Sequence, residues 1–203
     1  MYVSAAYPEV TPAEIDAFVA EQFCGKVIAV DDDGFPRISI LPFVRDGDQI
    51  EVHMVQADPT CAALRARGRG SFLLDEPLAF TPHHVVHPRY AGMATLHFRA
   101  VLFHVEARVS DDAEAVAAAL QRLMAAYEPQ ASWDPVVNGP TYGHDLRRLA
   151  VARLHVVGVE AKFKVAQNRD DAGRNRVVEY LRGRGRPADL LAAERIEAAA
   201  RSL

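Results

Sequence analysis

The segment from Ala161 to Arg169 (AKFKVAQNR) carries the side chains best suited to bind a small ligand. On a β-strand, alternation places Lys162 and Lys164 on one face and Phe163 and Val165 on the other. Two ammonium groups on one face can neutralise a phosphate or a carboxylate. A solvated strand edge gives the same pattern, so both interpretations stay open at this point.

Gln167 and Asn168 follow this strand directly and precede a helical pattern. Their amide groups can hydrogen-bond a polar ring or cap the helix that comes next. The binding interpretation and the capping interpretation remain alternatives.

A second candidate is the spacing of His83, His84 and His87 between Pro82 and Pro88. Three imidazoles at this spacing could bind a metal if the stretch were helical. No carboxylate lies nearby in sequence, and the flanking prolines favour a loop. A loop over a pocket is the alternative that we favour.

A basic run near the C-terminal end could contact DNA phosphates. Glu179, Asp189 and Glu194 lie among these arginines or just after them, and no helix-turn-helix pattern is present. The sequence therefore favours a solvated helix face over a DNA-binding surface. The run comprises Arg174, Arg176, Arg182, Arg184 and Arg186.

Composition excludes several classes of protein. The 203 residues carry a formal net charge of −4, and no apolar stretch is long enough to span a bilayer. Cys24 and Cys61 are too far apart for a metal motif, and the N-terminus lacks the pattern of a secretory leader, so we expect a cytoplasmic protein. No serine or cysteine is paired with a convincing base, and Cys61 is expected to be buried rather than activated.

The elements that must position these residues are short strands followed by helices. Three early strands separated by Asp- and Gly-rich turns form a meander. This order predicts an α+β fold, an antiparallel barrel with peripheral helices, rather than a doubly wound sheet. We expect one barrel domain over residues 1–182 and a helical appendage at 183–203 packed on it. Strands are predicted at 27–30, 38–41, 50–55, 71–74 and 153–165, helices at 11–25, 59–67, 111–127, 170–181 and 188–201, and a long loop at 75–91. The β-rich segment at 94–109 is long enough for one bent strand or a pair of strands.

Capping patterns set the helix starts. Thr11 and Glu14 form a capping box, as do Asp111 and Glu114. Asp58 is expected to cap the helix at 59–67, and Gly68 to end it.

The segment KFKVAQNR resembles the KFKLSQNR signature of the PaiB-type proteins, which are FMN-binding negative transcriptional regulators. The resemblance extends along most of the chain in family order. It includes the opening Met1-Tyr2-Val3, the strand that ends at 41–43, and the 53–59 segment HMVQADP, which is similar to the family motif HxAxxNP. Further matches are Thr81-Pro82 with Tyr90, the TLHF segment at 95–98, and the YEPQ segment at 127–130 with Trp133.

This resemblance implies a flavin-binding split barrel that forms a homodimer with FMN at the dimer interface. By position, it implies flavin contacts on the second strand, around the turn after the third strand, and in the signature segment. Asp58 stands where the family motif has Asn, and Leu96-His97 replaces Trp-Asn. The implied cofactor residues are Arg37, Ser39, His53, Met54, Asp58, Thr60, Lys162, Lys164, Gln167 and Asn168.

Three functions follow from the resemblance. The first is a flavin-binding regulator or sensor in which the residues hold the cofactor and none acts as an acid or a base. The second is a flavin-dependent oxidoreductase of small molecules, in which the flavin supplies the chemistry. The third is a barrel that has lost FMN and binds another ligand or only itself.

Overall fold

A computed structural model describes residues 1–2 and 4–201 of the chain. The described part contains six helices and seven strands. In chain order they are α1 (Pro12–Ala20), β1 (Gly25–Val30), β2 (Pro36–Leu41), β3 (Val44–Asp46), β4 (Gln49–Val55), α2 (Pro59–Arg67), β5 (Arg69–Thr81), β6 (Thr95–Ser110), α3 (Ala113–Tyr127), α4 (Gly143–Leu146), β7 (Leu149–Lys164), α5 (Asp171–Arg184) and α6 (Pro187–Ala200). Two short 3-10 helices, His83–Val85 and Ala91–Met93, lie between β5 and β6.

The seven strands form one sheet in the order β2-β1-β5-β6-β7-β4-β3. β1 pairs with β2 in an antiparallel register that places Val27 opposite Ser39 and Ile28 opposite Ile38. β4 pairs with β7 in the same sense, with His53 opposite Val151. The antiparallel pairing and the surrounding helices confirm the predicted α+β class.

The chain divides into two compact units. Unit 1 comprises residues 1–17, 75–101 and 160–203, and unit 2 comprises residues 18–74 and 102–159. The helix α1 and the long strands β5, β6 and β7 contribute residues to both units. The predicted boundary after residue 182 falls within α5, and the division into a barrel domain and an appendage stays a prediction.

Each unit has its own apolar core. In unit 1, the buried faces of α5 and α6 pack on the end of β7, and Val165, Val177, Leu181 and Ile196 are among the residues that exclude water. In unit 2, the inward faces of the strands supply Val27, Phe72, Phe103 and Leu154, which are fully buried. Burial of this apolar area is the main favourable contribution to folding. This burial also determines which faces of β2, β4 and β7 point inward, and therefore where the predicted site residues on these strands lie.

Several predicted elements are confirmed. Thr11 and Glu14 form the predicted capping box, since the backbone N–H of Thr11 donates to Glu14 Oε2 at 2.8 Å. Asp58 caps α2 as expected, and Gly68 ends this helix in the left-handed conformation with a φ of 62°. The strand predicted at 94–109 is a single continuous strand, β6.

Other predictions are wrong in detail. The residue that caps α3 is Asp112, whose carboxylate accepts from the backbone N–H of Ala115, and not Asp111. The segment 75–91 is not all loop, because β5 continues through Pro77 to Thr81. The apolar residues Leu78 and Ala79 are buried there, and their burial outweighs the low strand propensity of a proline. The strand β3 and the short helix α4 have no counterpart among the predicted elements.

Within the described residues, no helix combines the length and the apolar character needed to cross a bilayer. Val3, which belongs to the opening similarity, and Ser202 and Leu203, which belong to the predicted appendage, lie outside the described residues.

Candidate functional site

Three of the predicted cofactor residues form a hydrogen-bonded cluster at the N-terminus of α2. The hydroxyl of Ser39 donates to Asp58 Oδ2 at 2.7 Å and lies 2.8 Å from the hydroxyl of Thr60. The other carboxylate oxygen of Asp58 accepts from the backbone N–H of Thr60 at 2.7 Å. Ser39 and Thr60 are both buried. We call these three residues together with Arg37 the α2 set.

Local sequence explains how this cluster forms. Asp58 has the extended backbone of an N-cap, and Pro59 supplies the fixed φ that suits the first position of a helix. Ser39 lies opposite Val27 on the inward face of the β1–β2 pair, so its short side chain points toward α2. One strand position and one helix start therefore bring two hydroxyls and a carboxylate together.

Arg37 is the cation of the α2 set. Its Nε donates to Asp31 Oδ2 at 2.7 Å, and its side chain is nearly half exposed. The bond to Arg37 is one of several that lower the pKa of Asp31, of which the backbone bond from Phe35 has the largest effect. A small open pocket of about 200 Å³ lies between Arg37, Asp31 and the first turn of α2. The guanidinium is thus available at the surface, although a carboxylate already holds it.

His53 and Met54 do not share a face. They are consecutive residues of β4, and side chains alternate along a strand. Met54 is 3 % exposed and belongs to the core, whereas His53 is half-buried. Burial lowers the pKa of His53, which favours the neutral imidazole. The two residues cannot both face one ligand from a regular strand.

The four remaining predicted residues lie in unit 1. Lys162 donates through Nζ to the carbonyl of Tyr2 at 2.7 Å, and this ammonium lies 6.0 Å from the ring centroid of Phe98. The ammonium of Lys164 lies 6.0 Å from the ring of Tyr7. Phe163 and Val165 are buried, which confirms the predicted alternation of this strand.

Neither Gln167 nor Asn168 caps the helix α5. The side chain of Gln167 turns back, accepts from the backbone N–H of Val165 at 2.8 Å and donates to the carbonyl of Phe163 at 3.1 Å. Asp170 caps α5 instead, through a bond from the N–H of Gly173 at 2.8 Å. The capping alternative for Gln167 and Asn168 is therefore wrong. Asn168 is exposed.

Sequence reasoning missed three residues next to this lysine pair. Arg169 donates to the carbonyl of Met93 at 3.1 Å, and its charge acts on the phenol of Tyr7. His97 is 1 % exposed and lies 2.9 Å from the hydroxyl of Thr81 through Nε2. Burial lowers the pKa of His97 to about 4. Arg169 is part of the signature segment, whereas no local signal marks Tyr7 or His97.

The other candidate residues, the histidine group and Cys61, are less suited to bind a metal or to react. His87 accepts through Nδ1 from the backbone N–H of Tyr90 at 2.9 Å, so it stabilises its own loop. Across residues 1–2 and 4–201, no three His, Cys, Asp or Glu side chains are grouped closely enough to hold a metal ion. Cys61 is buried as expected, and burial raises the pKa of its thiol.

The arginine run is largely paired within unit 1. Arg182 pairs with Glu197 at 2.9 Å, and Arg184 pairs with the buried carboxylate of Asp189. Arg174 pairs with the exposed carboxylate of Asp171. Three of the five arginines thus have carboxylate partners, which reduces the charge available for a DNA backbone.

Whether the α2 set suits a flavin phosphate depends on its donors. A phosphate requires positive charge and N–H or O–H donors, and the set supplies a guanidinium, two hydroxyls and the N-terminus of a nine-residue helix. The carboxylate of Asp58 opposes an anion at the same place, and it already accepts from Ser39 and Thr60. The chemical types of these donors therefore suit a phosphate, although the negative charge of Asp58 opposes its binding.

One family model matches most of the chain. A family model described as "Putative FMN-binding domain" matches residues 1–161. The α2 set lies within this match, whereas Lys162, Lys164, Gln167 and Asn168 lie beyond it. No curated protein matches the chain.

Solved structures resemble the chain at low sequence identity. A FAD- and heme-binding protein from Mycobacterium smegmatis is 17% identical, with a TM-score of 0.60 over 77% of this chain and 72% of that one. A flavocytochrome from Azotobacter vinelandii is 17% identical, with a TM-score of 0.58 over 77% and 68%. A conserved hypothetical protein from Mycobacterium tuberculosis is 17% identical, with a TM-score of 0.57 over 80% and 90%. These similarities confirm the split-barrel fold.

Proposed function

Because this chain belongs to the family of FMN-binding domains and its cofactor is FMN or a related flavin, we propose that it acts as a flavin-dependent sensor with a regulatory role, like the PaiB-type proteins. The observation that carries the proposal is the α2 set, which lies inside the family match and offers phosphate donors at a helix N-terminus. A bound flavin supplies the redox chemistry, and the protein supplies binding and orientation.

The residues of the α2 set have separable roles in this proposal. Arg37 exchanges its contact with Asp31 for the flavin phosphate, which a guanidinium can bind through two N–H groups. The hydroxyl of Ser39 exchanges its bond to Asp58 for a phosphate oxygen, and the hydroxyl of Thr60 donates to another. Asp58 holds the turn and the helix start in place, and its charge limits how tightly the phosphate binds.

We also propose that the protein is a homodimer. On β2, Ile38 and Ile40 are 57% and 65% exposed, and Val30 of the neighbouring strand is 46% exposed. β2 is an edge of the sheet, and an exposed apolar edge strand is a surface that a second chain can cover. Light scattering of the wild-type protein and of an Ile38→Lys variant tests this. A monomeric wild type, or a variant that dimerises equally well, would contradict the dimer or this face.

A cytoplasmic location remains part of the proposal. Both cysteines of the chain are free thiols, which suits a reducing compartment.

A visible spectrum of the purified protein is the first test of function. We expect the spectrum to show flavin bands, either as purified or after incubation with FMN. A protein that stays colourless after this incubation contradicts both the sensor and the oxidoreductase functions and favours the barrel that has lost FMN.

Two further assays separate the flavin functions. A sensor that regulates transcription through DNA retards its own upstream DNA at moderate salt, and the absence of any shift at any salt argues against that mode. Oxidation of NAD(P)H by the flavin-loaded protein favours the oxidoreductase. The paired arginines described above make DNA contact through the run at 174–186 the weaker part of the regulatory proposal.

A further inference from the structure

Three cations of unit 1 are near enough for two of them to affect the pKa of the third, and none has a carboxylate partner in the described residues. Lys162 and Lys164 project from one face of β7, and Arg169 follows one short turn later. Arg169 contacts Met93 through two of its nitrogens, at 3.1 Å to the carbonyl and 3.6 Å to the sulfur. Within residues 1–2 and 4–201, no acidic side chain forms an ion pair with any of the three.

The charges of these groups act on one another. Burial lowers the pKa of Lys164, and the neighbouring charges of Lys162 and Arg169 lower it further. Like charges at short range are unfavourable unless an anion compensates them. His97, which is buried nearby, adds no positive charge at neutral pH because burial keeps its pKa low.

Arg169 carries a donor without an acceptor. Its Nε is buried and has no hydrogen-bond partner within the described part of the chain. A buried N–H without a partner costs free energy, and such groups are uncommon in folded proteins. An anion placed among the three cations would supply the missing acceptor.

Several hydrogen bonds surround the turn that presents Arg169. Ala166 has a φ of 62°, the left-handed region that side chains rarely adopt. The side chain of Gln167 bonds to the backbone on both sides of this residue, at Phe163 and Val165. The backbone N–H of Arg169 donates to the carbonyl of Ala166 at 3.1 Å. Strain that the surrounding bonds maintain is typical of binding sites.

From this arrangement we propose that Lys162, Lys164 and Arg169 form a phosphate-binding site in unit 1. The lysines supply charge from the strand, and Arg169 supplies a directional N–H through Nε. The half-buried phenol of Tyr7, 6.0 Å from the ammonium of Lys164, borders the site. The site lies beyond the family match, which ends at residue 161, and it does not require that the α2 set bind a flavin.

The phosphate can come from two sources, the flavin itself or a separate phosphorylated small molecule. Titration calorimetry with inorganic phosphate tests the site without assuming either source. We expect saturable binding by the wild type and at least tenfold weaker binding by Arg169→Met and by Lys164→Met, because each variant loses a charge-assisted hydrogen bond. Lys164→Arg keeps the charge and should retain most of the affinity.

Arg176→Met is the matched control, since Arg176 is an exposed arginine on α5 in the same unit. It should bind phosphate as the wild type does. Circular dichroism of each variant shows whether it is folded, and if Arg169→Met does not fold, the comparison of Lys164→Met with Lys164→Arg decides. Absence of phosphate binding by the wild type, or equal binding by all variants, would overturn the proposal.

Repeating the titration with FMN and riboflavin identifies the source. If the flavin phosphate occupies the site, inorganic phosphate competes with FMN, and Arg169→Met weakens FMN but not riboflavin binding. That outcome would support this site and contradict the placement of the flavin phosphate at the α2 set. If the ligand is separate, phosphate binds equally well to the flavin-loaded protein. A wild type that binds phosphate but no flavin would retain this site while contradicting the proposed flavin function.

Discussion

Replacing Asp58 with Asn should tighten FMN binding, although Asp58 contacts two of the residues proposed to bind the phosphate. The substitution keeps the size of the side chain and the carbonyl oxygen that accepts from the N–H of Thr60. Asn is as good a helix cap as Asp, so α2 keeps its start. The position of Oδ2 becomes an N–H donor, so Ser39 can no longer donate there and its hydroxyl accepts from the amide instead. Loss of the charge-assisted bond should cost about 1 kcal/mol of stability.

The gain in affinity follows from the distances within the α2 set. Ser39 Oγ lies 2.7 Å from Asp58 Oδ2 and 2.8 Å from Thr60 Oγ1. An anion oxygen that bonds to Ser39 Oγ would therefore lie within about 5 Å of the carboxylate, where one pair of unit charges repels by about 1–3 kcal/mol at effective dielectric constants of roughly 80 to 20. Removing the carboxylate charge should lower the FMN dissociation constant by roughly five- to 150-fold.

Calorimetric titration with FMN and with riboflavin measures this effect. Riboflavin lacks the phosphate, so its affinity should not change in Asp58→Asn. Asp145→Asn is the control for a change in net charge, since Asp145 is 70 % exposed and lies in the same unit. An unchanged FMN affinity in folded Asp58→Asn, or an equal gain for riboflavin, would refute the placement of the phosphate beside the α2 set.

Two further predictions concern stability. Because burial lowers the pKa of His97 to about 4, the unfolded chain binds a proton that the folded chain excludes as the pH falls. Chemical denaturation should therefore show that the free energy of unfolding falls by about 2 kcal/mol between pH 7 and pH 5. Most of this loss should be absent in His97→Gln. An unchanged pH dependence in that variant would show that His97 does not cause the loss. Asp189→Asn breaks the buried pair with Arg184 and should cost about 2 kcal/mol, whereas Arg182→Ala, which removes the exposed pair with Glu197, should cost less than about 1 kcal/mol. Equal midpoints of thermal unfolding for the two variants would contradict this assignment.

Local patterns in the sequence predicted the elements that local interactions determine. The capping residues Thr11 and Asp58 were identified because a side chain within a few residues satisfies the helix end. The alternation of Lys162 to Val165 was evident because one face of the strand is apolar and buried. The family resemblance then indicated the split barrel, which spacing alone could not specify.

Contacts between distant parts of the chain could not be predicted in this way. The approach of Ser39 to Thr60 depends on how β2 packs against α2, and the contact of Arg169 with Met93 joins residues 76 positions apart. The extension of β5 through Pro77 depends on tertiary burial that overrides local propensity. Residues such as Tyr7 and His97 acquire their environment only after the sheet has formed.

Calorimetric titration of the flavin-free protein with FMN tests the proposed flavin site most directly. The titration compares the wild type with Arg37→Met and Arg108→Met. Arg108 is an exposed arginine of the same unit and serves as the control. We expect the wild type and Arg108→Met to bind FMN alike. Arg37→Met should bind it at least about tenfold more weakly, because a guanidinium–phosphate contact is lost, and its riboflavin affinity should not change. A wild type that binds no FMN, or an Arg37→Met variant that binds it as tightly, would contradict the proposed flavin site.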